Sequence, residues 1–231
     1  MNATGTPCAE PPSHLQKELD TLLARFLAEV PDEVAASLQQ ATREIAASGV
    51  AEQCLQAGMI APDFTLPDQQ GEPVSLSALL ATGPVVVSFY RGDWCPFCGL
   101  ELDSLQAYLT DIRRLGAHLL AVSPQSAAQT QATAQTHGLA FPVLSDTGNK
   151  VARQYGLVYA LPQMLRPIYL SFGIDLALHN DDGSYDLPVP ATYVIDTDGV
   201  IRLAYANADY SKRLEPARIL DSIRALDVVD G

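Results

Sequence analysis

Basic residues are scarce in this chain: 14 Lys and Arg face 27 Asp and Glu across 231 residues, leaving a formal charge of -13. That balance, with no basic patch interrupting it, argues against nucleic acid and anionic membrane as partners, because both are gripped through clustered positive charge. Long apolar runs are missing too, and no window approaches the roughly 20 consecutive apolar residues that cross a bilayer. Residues 1–12 carry neither the basic start nor the apolar stretch of a secretory signal. They read as a disordered tail, so a soluble protein of the cytosol is expected. Cysteine is limited to Cys8, Cys54, Cys95 and Cys98. Four is too few for a disulfide scaffold in a chain this long, and the second close pair of a zinc ribbon is lacking. His14, His118, His137 and His179 are scattered, so neither a metal nor another cofactor is expected.

What is present is a single close pair of thiols. Trp94-Cys95-Pro96-Phe97-Cys98 follows directly on the apolar run Val85-Val86-Val87-Ser88-Phe89-Tyr90, which predicts a strand delivering two cysteines onto the first turn of a helix. Pro96 suits the first helical position, where its missing N–H loses no bond, and this puts Cys95 at the N-cap. There the opening amides and the helix dipole favour thiolate over thiol and lower the pKa below the free value of about 8.5. Cys98, one turn on, lies on the same side, so a bridge between the two is within reach. Whether one sulfur attacks a disulfide or a peroxide O–O bond, the other can resolve the product into an intramolecular disulfide, which an external thiol must then reduce. Two ordinary buried cysteines are the plain alternative; Trp94 before the pair and Pro96 within it weigh against that. Arg91 is the cation nearest in sequence to stabilise a thiolate, with a salt bridge to Asp93 or Glu101 as its competing role. Cys8 could serve as a resolving thiol or be incidentally exposed in the tail, and Cys54 is expected to be buried.

The rest of the chain organises around this site, and a hydrophobic content of 48% is ample for a core. From His14 to about Gly49 apolar residues recur at helical spacing, with a break and restart at Pro31-Asp32-Glu33; a two-helix extension over 13–57 is expected, packed on the main domain or a second subunit. Residues 58–231 form the globular domain. A short hairpin brackets Asp68-Gln69-Gln70-Gly71, followed by alternating strands (85–90, 118–123, 141–144) and helices (about 96–115, one ending near 136, and 151–155). An antiparallel hairpin over 192–204 and a helix over 216–226 complete the pattern. The order predicts an α/β domain with a central mixed sheet flanked by helices. Residues 158–188 fit no element cleanly and read as an insertion.

These landmarks resemble the peroxiredoxin-like (alkyl hydroperoxide reductase/thiol-specific antioxidant) redoxin family of the thioredoxin fold. The likeness rests on Ala61-Pro62-Asp63-Phe64-Thr65-Leu66, Val87-Ser88-Phe89-Tyr90-Arg91, Phe141-Pro142-Val143-Leu144-Ser145-Asp146 and Val151-Ala152-Arg153-Gln154-Tyr155-Gly156, in the family's order. It implies a thiol peroxidase that reduces hydrogen peroxide or organic hydroperoxides and is restored by thioredoxin or a glutathione-type donor. Departures are visible: in the family's active-site pattern Arg91 stands at the proline, Cys95 at the threonine and Cys98 at the peroxidatic cysteine. The stretch also resembles the thioredoxin and glutaredoxin motif, in which the first cysteine, Cys95, is the exposed nucleophile. Val189-Pro190-Ala191-Thr192 is similar to the segment that holds a cis-proline beside the dithiol in this fold, which implies Pro190 packing against the sulfurs and Thr192 beside it. A protein disulfide reductase and a redox-switched binding protein are the alternative functions. The resemblance favours Cys98 as the first attacker and the N-cap argument favours Cys95. The insertion is expected to act as a lid for larger hydroperoxides or as part of a homodimer interface.

Overall fold

The computed structural model of the chain describes residues 14–180 and 182–226, so Cys8 and the tail lie outside the described residues. Two amphipathic helices come first, α1 (Leu15–Glu29) and α2 (Asp32–Ala47). Between them Val30 is extended, as a residue before proline prefers, and Pro31 caps the new helix with Asp32 and Glu33 in its first turn, where they complement the dipole. A two-stranded hairpin follows, β1 (Thr65–Pro67) and β2 (Pro73–Ser75), leading into α3 (Leu76–Leu80).

The main sheet is built from β3 (Val85–Phe89), β4 (His118–Ser123), β5 (Val143–Ser145), β8 (Ala191–Ile195) and β9 (Ile201–Ala206), with α4 (Pro96–Arg114), α5 (Ala127–Thr136), α6 (Lys150–Gln154) and α9 (Pro216–Leu226) around it. Strand order is β5-β4-β3-β8-β9. The first three are parallel and the last two antiparallel to their neighbours, the mixed arrangement expected for a βαβα series ended by a hairpin. Alternation along β3 divides the core into two layers. Val86 joins Leu102, Leu105, Leu109 and Ile112 of α4 together with Leu15, Leu19, Ile219 and Ile223; Val85, Val87 and Phe89 join Leu76, Val151, Ala152 and Cys54 on the opposite face. Because β3 is central and covered on both sides, it reads in the sequence as an unbroken apolar run. Truncating one buried leucine of α4 to alanine would cost about 2–5 kcal/mol.

Residues 158–188 contain β6 (Val158–Ala160), α7 (Arg166–Ser171), α8 (Leu176–His179) and β7 (Asp186–Pro188). Strands β6 and β7 pair antiparallel and close the insertion at its base. Its core residues Leu161, Leu165, Tyr169, Leu176 and Leu187 pack on Leu38 and Ala41 of α2. The helical extension is therefore joined to both parts of the domain: α2 holds the insertion, and α1 lies against α4. The α1 side is pinned by Gln16, whose Nε2 donates to the Ser211 carbonyl at 3.1 Å, and by Asp20, which pairs with Lys212 at 2.8 Å.

One expectation is corrected here. No peptide bond among the described residues is cis, so Pro190 is trans: it is buried at the entry to β8, and its carbonyl accepts from the Asn207 amide. Thr192 is buried in the sheet, paired across from Ser88 on one side and Tyr205 on the other. No helix among the described residues is long and apolar enough to cross a membrane.

Candidate active site

Cys95 is the N-cap of α4, and Pro96 is its first residue. The chain reaches this point from the end of β3 through Gly92, whose φ of 148° and close approach to Trp94 exclude a side chain. A Cβ there would stand 2.3 Å from the indole nitrogen. The turn lets Trp94 fold back over the loop, with its ring 5.6 Å from that of Tyr169 in an edge-on arrangement.

Both sulfurs are reduced and buried, Cys95 at 1% exposure and Cys98 at 0%. The expectation of an exposed Cys95 is thus corrected, because the extension and the insertion roof the site. A second correction concerns what faces the sulfur. Cys95 makes no side-chain cap bond to the opening amides; its carbonyl accepts from Cys98 and Gly99 in the ordinary helical way. The partner of the sulfur is Arg91, whose Nη2 donates to Cys95 Sγ at 2.9 Å and whose Nη1 donates to the Tyr169 hydroxyl at 3.2 Å. The guanidinium is held between two rings, its carbon 5.0 Å from the centroid of Trp94 and 4.3 Å from that of Tyr210, a desolvated cation–π arrangement. Arg91 therefore serves the thiol, and the expected alternatives Asp93 and Glu101 are not its partners. Its Nε has no hydrogen-bond partner among the described residues.

Glu101 instead pairs with Arg213, Nε to Oε2 at 2.6 Å, and Arg213 extends Nη2 to Cys98 Sγ at 3.5 Å. Both members of this pair are almost fully buried. Burial pushes the Glu101 carboxyl up to about 7 against the pull of Arg213. At the dithiol, burial opposes ionisation of Cys95 most strongly. The hydrogen bond with Cys98 and the charges of Arg91 and Arg213 nevertheless prevail and hold its thiol well below the ordinary range. Cys98 moves the other way, raised by burial, by its hydrogen bond to Cys95 and by the negative charge there.

Cys95 also forms part of the wall of a cavity of about 540 Å³, as do Arg91, Trp94 and Pro96. Neither Pro190 nor Thr192 lines it, and Cys54 lies far off in the opposite core layer, its sulfur donating to the Val50 carbonyl at 3.2 Å. The residues that sequence reasoning missed are Arg213, Tyr169 and Tyr210. All three stand in segments without periodic pattern and reach the dithiol only through tertiary folding.

Residues 57–204 match the AhpC/TSA family. Over 150 residues the chain is 35% identical to a chloroplastic peroxiredoxin Q of Sedum lineare, an overlap that covers 65% of this chain and 68% of that protein. Over 165 residues it is 32% identical to the chloroplastic peroxiredoxin Q of Triticum aestivum, covering 71% and 65%. Among solved structures, the peroxidoxin BcpB of Mycobacterium tuberculosis superposes with a TM-score of 0.59 at 26% identity, covering 74% of this chain and 97% of that one. A peroxiredoxin Q of Xanthomonas campestris shares the fold, with a TM-score of 0.53 at 21% identity over 70% of this chain and 90% of the other.

Proposed function

The chain belongs to the AhpC/TSA family and is a thiol peroxidase, an oxidoreductase acting on peroxide; from that premise we propose that Cys95 is the sulfur that attacks and Cys98 the one that resolves. The observation carrying this reading is the 2.9 Å contact of Arg91 with Cys95 at the wall of the cavity, set against a Cys98 that lies deeper with a raised pKa. Only a thiolate attacks, and of the two sulfurs Cys95 has the closer guanidinium, Arg91 at 2.9 Å against Arg213 at 3.5 Å from Cys98, and is the one that borders the cavity.

The steps balance. The Cys95 thiolate attacks the terminal oxygen of the hydroperoxide; an S–O bond forms to that oxygen, the O–O bond breaks, and the displaced alkoxide or hydroxide takes up a proton to depart as alcohol or water. Cys95 is then a sulfenic acid. The Cys98 thiol attacks that sulfur, an S–S bond replaces the S–O bond, and water leaves. Two equivalents of an external thiol, of thioredoxin or glutathione type, restore the dithiol and depart as their own disulfide. The recess of Cys95 speaks for a hydroperoxide that fits within the cavity over a folded protein disulfide as oxidant, since a protein surface would have to enter the cavity to reach the sulfur.

The test is single-turnover oxidation with a sulfenic-acid trap and mass spectrometry on each single Cys→Ser variant. The reading expects Cys98→Ser to carry the trap on Cys95 and Cys95→Ser to consume no peroxide; a trapped adduct on Cys98 in Cys95→Ser, at the wild-type rate, would reverse the assignment.

A further inference from the structure

We propose that the helical extension and the insertion together build a substrate chamber that selects hydroperoxides with a bulky apolar arm, with Phe26, Phe172 and Ile174 as specificity-determining residues. The proposal rests on the peroxidase reading above and deepens it.

Size is the first argument. A water molecule takes about 30 Å³ of liquid, so hydrogen peroxide would fill on the order of a tenth of the cavity of about 540 Å³. The volume falls within the range of roughly 300–1,000 Å³ found for sites that enclose whole organic ligands. Chemistry is the second. Arg91 and Cys95 are in direct contact, and the Tyr169 hydroxyl and the Tyr210 ring meet the same guanidinium; apart from these and His179 the wall is chiefly aromatic and aliphatic, including Phe26, Leu38, Phe97, Phe172 and Ile174. One polar end beside the reactive sulfur and an apolar remainder match a hydroperoxide carried on a hydrocarbon group.

Construction is the third argument. Phe26 comes from α1 and Leu38 from α2, whereas Phe172 and Ile174 come from the segment between α7 and α8. Phe26 and Phe172 meet edge to face, ring centroids 5.7 Å apart, so the chamber closes where extension touches insertion. Phe26 and Leu38 precede the segment matched by the family, residues 57–204. This wall is added by the extension.

The experiment compares kcat/KM for cumene hydroperoxide and hydrogen peroxide in the full chain. Wild type is expected to favour cumene hydroperoxide by tenfold or more, and Phe26→Ala and Phe172→Ala each to reduce that ratio by about tenfold. A pocket contact of one or a few carbons commonly sets discrimination of this order. Phe172 is 39% exposed, so its truncation leaves the fold intact even if that of Phe26 does not. Leu178→Ala, on the exposed side of α8 at 74% exposure, is expected to leave the ratio unchanged. A second measurement separates this proposal from the chemistry: binding of 2-phenyl-2-propanol to Cys95→Ser by titration calorimetry, in which no redox step occurs. Binding that Phe172→Ala weakens supports the chamber even if the protein consumes no peroxide. Peroxide consumption with equal ratios in wild type and both phenylalanine variants, and no alcohol binding, overturns the chamber while leaving the peroxidase standing.

Discussion

Arg91 and Cys95 are four residues apart and joined by one charge-assisted hydrogen bond, Nη2 to Sγ at 2.9 Å, that bridges the end of β3 and the start of α4. The activating charge at this N-cap comes from a side chain clamped between Trp94 and Tyr210. A helix dipole acts within a turn and is screened by water, whereas a buried guanidinium in direct contact acts at low dielectric.

Replacing that group tests its role. Arg91→Met keeps much of the side-chain volume and removes the charge. Loss of a hydrogen bond to a charged group of about 1.5–3 kcal/mol lowers the peroxide step on the order of 10- to 100-fold at neutral pH. The pH profile of iodoacetamide alkylation reports the cause. In wild type, Cys95 stays reactive as pH falls below the ordinary thiol range, because its pKa is depressed; in the variant the rate should drop with each unit of acidification through that range.

Cys98→Ser separates attack from resolution. The first peroxide equivalent is still expected to oxidise Cys95, while steady-state turnover with an external thiol falls well below wild type and no intramolecular disulfide appears. Non-reducing mass measurement after one equivalent of peroxide checks this: a loss of two protons in wild type, and a gain of one oxygen in the variant.

Glu101 gives a pH test with a definite sign. Its folded pKa of about 7 lies above the ordinary 4.5, so the native state binds a proton that the unfolded chain has released. This group's contribution to stability is fully present below about pH 4.5 and is lost as pH rises through 7. The change is on the order of 3 kcal/mol across the window. Glu101→Gln should flatten that segment of the stability curve, measured as urea midpoint from pH 5 to 8 and taken as the difference from wild type. Arg213→Met, which strands a buried carboxyl beside Cys98, is expected to destabilise by about 3–5 kcal/mol at pH 8 and by less at pH 5, where Glu101 is neutral.

Gly92→Ala probes the turn. The added carbon would meet the Trp94 ring at 2.3 Å in a backbone conformation that alanine rarely adopts. A loss of about 1–3 kcal/mol in thermal or urea unfolding is expected, with slower alkylation of Cys95 as the loop carrying Arg91 shifts.

Much of this architecture was legible from local pattern. The run Val85–Phe89 and the helical recurrence of Leu102, Leu105, Leu109 and Ile112 are imposed by burial on two faces and on one face respectively, and burial of that kind is written into periodicity. Pro96 marks the helix start, and so the cysteines could be placed. What could not be read is long-range. Arg213 reaches Cys98 from 115 positions away and Tyr169 reaches Arg91 from 78, and neither carries a local signal. The elements of the insertion run from three to six residues, too short for a period to show. The expectation of an exposed Cys95 failed for the same reason, since the cavity it borders is walled in part by Phe26 and Phe172, distant in sequence from the motif and from each other.

The chain has one tryptophan, and it sits under the Arg91 guanidinium, one residue from Cys95. Its emission is therefore a native optical gauge of the reaction. A change in the sulfur's charge or its conversion to a disulfide alters the field at the indole, so each half of the cycle should appear as a separate fluorescence phase in a stopped-flow trace without any added label.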